Sequence, residues 1–194
     1  EEEKMNRVRE ICGEEPIFRL RPFRPMKAGI VTTGSEVYYG RIQDQFTPVV
    51  KGKLEEAGME VLGNTLCNDN ADMVTDAIRE WIDKGAEVVV CTGGMSVDPD
   101  DRTPLAIRNA SDQVITYGAP VLPGAMFMLA YAGDIPVMGL PGCVMYSKRT
   151  IFDLVLPRIA AGERLAAEDF SVLGEGGLCL NCPTCTFPNC GFGK

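Results

Sequence analysis

Three sets of side chains in this sequence have the types and spacing to do chemistry. The first is acidic. In CTGGMSVDPDDRTP (91–104), Gly93 and Gly94 close an apolar run and lead into Asp98, Asp100 and Asp101; Glu36 follows a similar turn, TTGSE (32–36), and Asp69 stands in CNDN after another apolar run. Carboxylates placed beside phosphate groups commonly share Mg²⁺ with them, so Asp69 and Asp101, assisted by Glu36, are candidate catalytic and Mg²⁺-holding residues. The bland alternative for Asp69 and Asp101 is capping of the helices that follow, and Asp98 and Asp100 are expected to be solvated or capping acids. The second set is the turns themselves: Thr33, Gly34 and Ser35; Gly93, Gly94 and Ser96; and Pro141 and Gly142 in GLPGC (139–143). Glycine lets backbone N–H groups approach a ligand closely, and such turns bind phosphate without net positive charge.

The third set is sulfur. Four of the eight cysteines, Cys179, Cys182, Cys185 and Cys190, fall in the last sixteen residues with spacing Cys-x2-Cys-x2-Cys-x4-Cys. Four thiolates so close can surround one metal centre, and the first three match a ferredoxin-type run, which favours an iron–sulfur cluster. A compact zinc knuckle, a disulfide pairing and an unmetallated tail are the alternatives. Cys12, Cys67, Cys91 and Cys143 are scattered and read as reduced thiols of a cytoplasmic protein.

Composition removes other chemistries. There is no histidine, so Ser-His-Asp, Cys-His and histidine–metal mechanisms are out. A net charge of −8 argues against a nucleic-acid partner, and no apolar run is long enough to span a bilayer. The chain opens on Glu1 rather than Met, so a longer parent chain with an upstream region is expected.

The elements that must position these groups alternate. AGIVTTG (28–34), MEVLGNTL (59–66) and AEVVVCT (86–92) read as strands, the last buried on both faces. Between them, apolar residues at helical spacing predict helices over 46–57, closed by Gly58, and 70–85, with Asn70 as N-cap and Gly85 at the C-terminus. That alternation predicts βαβ units: a three-layer α/β/α sandwich on a mostly parallel sheet. QVITYG, MFMLAYAG and IPVMGLPG read as further strands, including a hairpin and a last central strand, and residues 145–162 as one amphipathic helix. Residues 1–15 are expected to be helical, 17–25 an edge strand or linker, 26–165 the α/β domain, and 166–194 a Gly-rich linker and Cys-rich tail.

With these motifs in hand, the stretch from Met26 to Arg164 resembles the molybdopterin-binding domain of molybdenum-cofactor biosynthesis proteins. Gly93–Gly94, Asp101, Thr103 and Pro104 match the GG…D-x-T-P pattern of the adenylyltransferase branch. Thr33–Gly34–Ser35–Glu36, GGMSV, Asp69 and Gly139–Leu140–Pro141–Gly142 resemble motifs of the molybdotransferase (insertase) branch. GSEVYYGRIQDQF and GGMSVDPDDRT resemble the competence-damage (CinA-like) branch. Departures stand beside the matches: Ala125 and Met126 replace polar residues of a PGKP-like loop, Cys143 and Tyr146 replace Asn and Ser after GLPG, and Met95–Ser96 replace a T-G turn.

The resemblance implies a ligand, molybdopterin or the molybdenum cofactor, and three activities between which the residues do not choose. One is a transferase using ATP and Mg²⁺ for adenylyl transfer or metal insertion. The second is a non-catalytic carrier or sensor with a molybdoenzyme or cofactor-pathway partner. The third is a CinA-like nucleotide pyrophosphatase. It also implies a homo-oligomer.

Overall fold

A computed structural model describes residues 1–13 and 18–194. The chain runs α1 (Glu2–Cys12), β1 (Lys27–Thr33), α2 (Ser35–Tyr38), α3 (Phe46–Glu56), β2 (Glu60–Cys67), α4 (Ala71–Asp83), β3 (Val88–Thr92), α5 (Thr103–Asn109), β4 (Gln113–Tyr117), β5 (Met128–Ala132), β6 (Ile135–Leu140), α6 (Ile151–Ala160) and α7 (Ala167–Ser171). The six strands form one sheet in the order β2-β1-β3-β6-β5-β4. β2, β1, β3 and β6 are parallel, and β5 runs antiparallel to both β6 and β4. The expected hairpin is β5–β6, turning at Gly133–Asp134 with Ala132 opposite Ile135, and its second strand lies in the middle of the sheet.

Alternation along each strand builds two cores, one on each face. Ala28, Ile30, Val88 and Val90 point to the side covered by α3, α6 and α7, where Leu54, Phe152 and Phe170 pack. Val31, Val89 and Cys91 point to the side covered by α4 and α5, where Ile78, Trp81 and Ile107 pack. All five residues of β3 are buried, as its unbroken apolar run requires. Burial of Cys67 and Cys91 pushes both thiols up, Cys67 to about 11, which makes them inert packing groups.

α4 sits against β1 and β2 because two strand residues lack side chains. A Cβ on Gly29 would stand 2.5 Å from Cγ of Trp81, and one on Gly63 would stand 2.7 Å from the far edge of the same ring. The indole Nε1 donates to the Ile30 carbonyl at 3.1 Å. Asn70 caps this helix as the sequence predicts, accepting from the N–H groups of Asp72 and Met73.

The helix read over 145–162 is in fact two pieces. Gly142–Met145 forms a 3₁₀ turn, and α6 begins only at Ile151. Thr150 is extended and closes a reciprocal capping box with Asp153, which fixes the helix start there. The same Asp153, buried, holds Lys53 of α3 at 2.5 Å and Arg149 at 2.9 Å.

Residues 18–26 form no strand, so the part of 17–25 that is described is a linker, anchored where Arg24 N–H donates to the Ala160 carbonyl. Residue 17, like Glu14, Glu15 and Pro16, lies outside the described residues. α1 buries none of its side chains. At the other end, Phe170 of α7 stacks on Phe127 (5.8 Å between centroids), and Phe192 is buried in the same core as α6. Among the described residues no helix is long and apolar enough to cross a membrane.

Candidate functional site

Strand register brings the predicted turns to one level. Leu66, Thr32, Thr92 and Leu140 stand side by side across β2, β1, β3 and β6. The segments that follow them therefore emerge together along a sheet edge about 14 Å wide, three strand spacings. The chain also reverses direction across the sheet here: β2 lies on one side of β1 and β3 on the other. Such a switch point leaves a crevice beyond the strand ends where open α/β sheets take their ligands.

The β1 and β3 turns touch. Thr33 Oγ1 donates to the Thr92 carbonyl at 3.1 Å and lies 3.1 Å from Thr103 Oγ1. Its one proton is committed to the carbonyl, so Thr103 must donate to Thr33. Both hydroxyls are buried. This staple ties β1, β3 and the start of α5 into one unit.

Gly93 (φ 81°) and Gly94 (φ 55°) lie over it, both in the left-handed region. A Cβ on Gly94 would fall 2.7 Å from Thr103 Oγ1, and one on Gly93 would collide with the Thr33 carbonyl. Internal packing therefore already requires both glycines. The N–H groups of Gly94 and Met95 carry no hydrogen bond to the described residues. Next along the edge, Pro141 and Gly142 lead into the 3₁₀ turn, and burial pushes the Cys143 thiol up.

The carboxylates are engaged in a way the sequence did not suggest. Asp69 Oδ2 accepts from both the N–H (3.0 Å) and the hydroxyl (2.7 Å) of Ser35, bridging the β2 end to the β1 turn. Asp101 Oδ2 accepts from the Ser96 N–H at 2.5 Å. Asp98 Oδ1 accepts from Asp100 N–H at 3.0 Å within the loop. Glu36 is exposed and makes no ion pair among the described residues. So the acids sit on the two turns separately. Among the described residues no three His, Cys, Asp or Glu side chains are gathered closely enough to hold a metal ion. Asp69 and Asp101, the expected Mg²⁺ pair, are each bound through Oδ2 to the serine of a turn, and no such group of three joins them.

The same holds for Cys179, Cys182, Cys185 and Cys190 as ligands of a single ion. All four are free thiols: Cys182 and Cys185 are exposed, and Cys179 and Cys190 are half-buried against the core. The tail is folded down by Phe192, which turns Cys179 and Cys190 toward the core and leaves the other two outside.

Four residues to which sequence reasoning gave no role belong to this edge: Asp44, Thr47, Arg108 and Tyr117. Asp44 accepts from the N–H groups of Phe46 (2.8 Å) and Thr47 (3.1 Å) and from the Thr47 hydroxyl, setting the start of α3. Thr47 in turn meets Thr32 at 3.0 Å. The signal was present in DQFTP, an Asx turn into a helix. Arg108 and Tyr117 join Ser96, Asp101 and Met126 around a depression of about 440 Å³ beside the β3 turn. Partial burial and the Asp101 charge push the Tyr117 phenol up. Their convergence depends on α5 crossing over β6, β5 and β4, which no local pattern reveals.

With this geometry in view, comparison with known proteins is decisive for the family. The family described as "Probable molybdopterin binding domain" matches residues 29–161. The chain belongs to that family. Its molybdopterin-binding domain takes in the six strands (all but the first two residues of β1), the glycine turns, both serine-bound aspartates and α6. Among solved structures it is similar to the molybdopterin biosynthesis enzyme MoaB of Thermus thermophilus (TM-score 0.60, 22% identity, 71% of this chain and 98% of that one). It is also similar to the tungsten cofactor synthesizing protein MoaB of Pyrococcus furiosus (TM-score 0.54, 22% identity, 62% and 84%). At such identities these likenesses concern the fold. Among curated proteins it is 38% identical over 77 residues to the CinA-like protein of Mycobacterium avium, and 36% identical over 77 residues to that of Mycobacterium tuberculosis. Those matches cover 40% of this chain and only 18% of each relative's length.

Proposed function

We propose that this domain binds molybdopterin, or its adenylylated or metal-loaded form, across turns 33–36, 93–96 and 140–143, as a step in molybdenum-cofactor biosynthesis. The observation that carries the reading is the pair of N–H groups at Gly94 and Met95, which carry no hydrogen bond to the described residues and lie beside the Thr33–Thr103 staple at the switch point. Successive N–H groups in such a glycine turn form an anion-binding concavity suited to the ligand's phosphate. The free oxygens of Asp69 and Asp101 face the opposite need: a pterin ring presents amino and ring N–H donors, and a carboxylate accepts them with charge-assisted strength. Such a site orients its ligand with groups already in place, the main resource available to a protein without histidine.

A second reading is a nucleotide pyrophosphatase like that attributed above to the CinA-like branch; the 77-residue match supports it. A third, the non-catalytic carrier, is supported by Met126, an apolar side chain in the depression beside Asp101. Titration calorimetry with molybdopterin tests the shared premise, and three turnover assays separate the readings: adenylylation with ATP, molybdate insertion and ADP-ribose hydrolysis. Pterin binding with one of the first two activities supports the transferase, and binding with no turnover supports the carrier. ADP-ribose hydrolysis without pterin binding replaces the proposal with the second reading.

A further inference from the structure

The tail has a feature that the pterin site does not use. All four of its cysteines line one cavity of about 240 Å³, many times what a single ion or water needs, closed from below by Phe187 and Phe192. The floor is fixed. Leu122 N–H donates to the Gly177 carbonyl at 2.6 Å, Cys179 N–H donates to the Leu122 carbonyl at 2.8 Å, and Gly193 N–H donates to the Gly176 carbonyl at 2.7 Å. Phe192 is only 4% exposed. Two cations flank the sulfurs. Lys148 Nζ donates to the Pro183 carbonyl at 3.2 Å, and Arg149 lies over the Phe187 ring at 4.9 Å while bound to Asp153.

We propose that this cavity is the site of a four-cysteine iron–sulfur cluster. The size of the cavity favours a cluster over a single zinc ion. One zinc ion needs every thiolate about 2.3 Å from a single point, and no three of these cysteines are so gathered. A cluster distributes its thiolates over several irons, so its ligands surround a larger volume. Two half-buried cysteines form the inner wall, and two exposed ones can close over the cluster from outside. Ligation releases one proton from each thiol as its Fe–S bond forms, with no electron transferred. A four-thiolate cluster carries net negative charge, which Lys148 and Arg149 offset. These two residues lie three and four positions beyond the Gly142–Met145 turn, so one chain segment joins the cavity to the GLPG loop.

The test uses the 194-residue chain expressed with added iron and purified without oxygen, followed by iron, sulfide and zinc analysis and visible absorbance. About two to four irons per chain with matching sulfide and broad visible absorption are expected. Cys182→Ala combined with Cys185→Ala should remove the iron; both residues are exposed, so circular dichroism should show the fold intact. Cys12→Ser, on the distant α1, should keep it. One zinc per chain, metal-free protein whose four tail thiols alkylate freely, or iron that survives the double replacement each overturns the proposal. Pterin binding is measured separately, and its loss or retention does not bear on the cluster.

Discussion

Thr33→Val tests the staple beneath the site. Valine keeps the shape and removes one hydroxyl, which donates to the Thr92 carbonyl and accepts from Thr103. Thr103 is 2% exposed, so its hydroxyl would be left buried without an acceptor. An orphaned buried polar group costs about 1–3 kcal/mol. For a chain of this size each kcal/mol lowers Tm by about 2–4 °C, so a fall of roughly 2–12 °C is expected. Thr33→Ser, which retains the hydroxyl, should recover most of it.

A double-mutant cycle measured by urea unfolding gives the sharper result. Thr33→Val with Thr103→Val removes both members of the pair and leaves neither hydroxyl orphaned, while the Thr92 carbonyl loses its donor equally in the single and the double replacement. The double replacement should therefore cost less than the sum of the singles, by about 1 kcal/mol. Costs that add to within about 0.3–0.5 kcal/mol would mean that the two hydroxyls do not interact, and the account of a rigid unit joining β1, β3 and α5 would fail.

Three further replacements follow from the same geometry. Gly94→Ala should destabilise by about 1–2 kcal/mol, from the left-handed backbone alone and more if Thr103 must shift, measurable by thermal unfolding. Gly142→Ala should leave Tm unchanged, since a Cβ there meets nothing within 4 Å; weaker pterin binding by this variant would then report close ligand approach. Asp69→Ala, by releasing the Ser35 N–H and hydroxyl, should strengthen binding of inorganic phosphate while weakening binding of the pterin; calorimetry that finds both affinities unchanged would place the ligand away from Ser35. Asp169 carries the pH dependence. The Ala166 N–H and Arg158 hold its carboxyl below the ordinary 3.8. A depressed folded value adds stability that is fully present above 3.8 and is lost as pH falls through the folded value. Asp169→Asn should therefore lower Tm at pH 7 and flatten the loss of stability below pH 4.

Much of this fold was readable because its central strands have nowhere to go but inside. Five consecutive buried residues in β3 and the glycine-bounded helix α4 announce themselves by composition and period. What stayed hidden depends on residues far apart in sequence. Asp69 and Ser35 are 34 positions apart, and only the parallel pairing of β1 with β2 brings them together. Reading Asp69 as a metal ligand and as a cap were both reasonable locally; its actual partner is a neighbouring turn. The break before α6 escapes the pattern because Met145 and Tyr146 carry the helical period back across Ser147–Thr150, while the Thr150–Asp153 box that starts the helix is a short polar signal. The tail's docking joins Phe192 with backbone bonds between Leu122 and both Gly177 and Cys179, contacts that no periodicity announces.

The acids on the turns bear on how a chain of net charge −8 can receive an anionic cofactor at all. If Ser35 and Ser96 offered their N–H groups freely, this edge would take any small phosphate. Asp69 and Asp101 occupy those donors, while the N–H groups of Gly94 and Met95 carry no hydrogen bond to the described residues. The carboxylates' repulsion would then discourage a free phosphate from the Ser35 and Ser96 positions. A ligand that brings N–H donors along with its phosphate meets a different surface: the same carboxylates accept from it, and the repulsion becomes attraction. Selectivity for a pterin phosphate over free phosphate then needs no cationic residue. It needs two carboxylates pinned at fixed positions, and that is what the serine contacts supply.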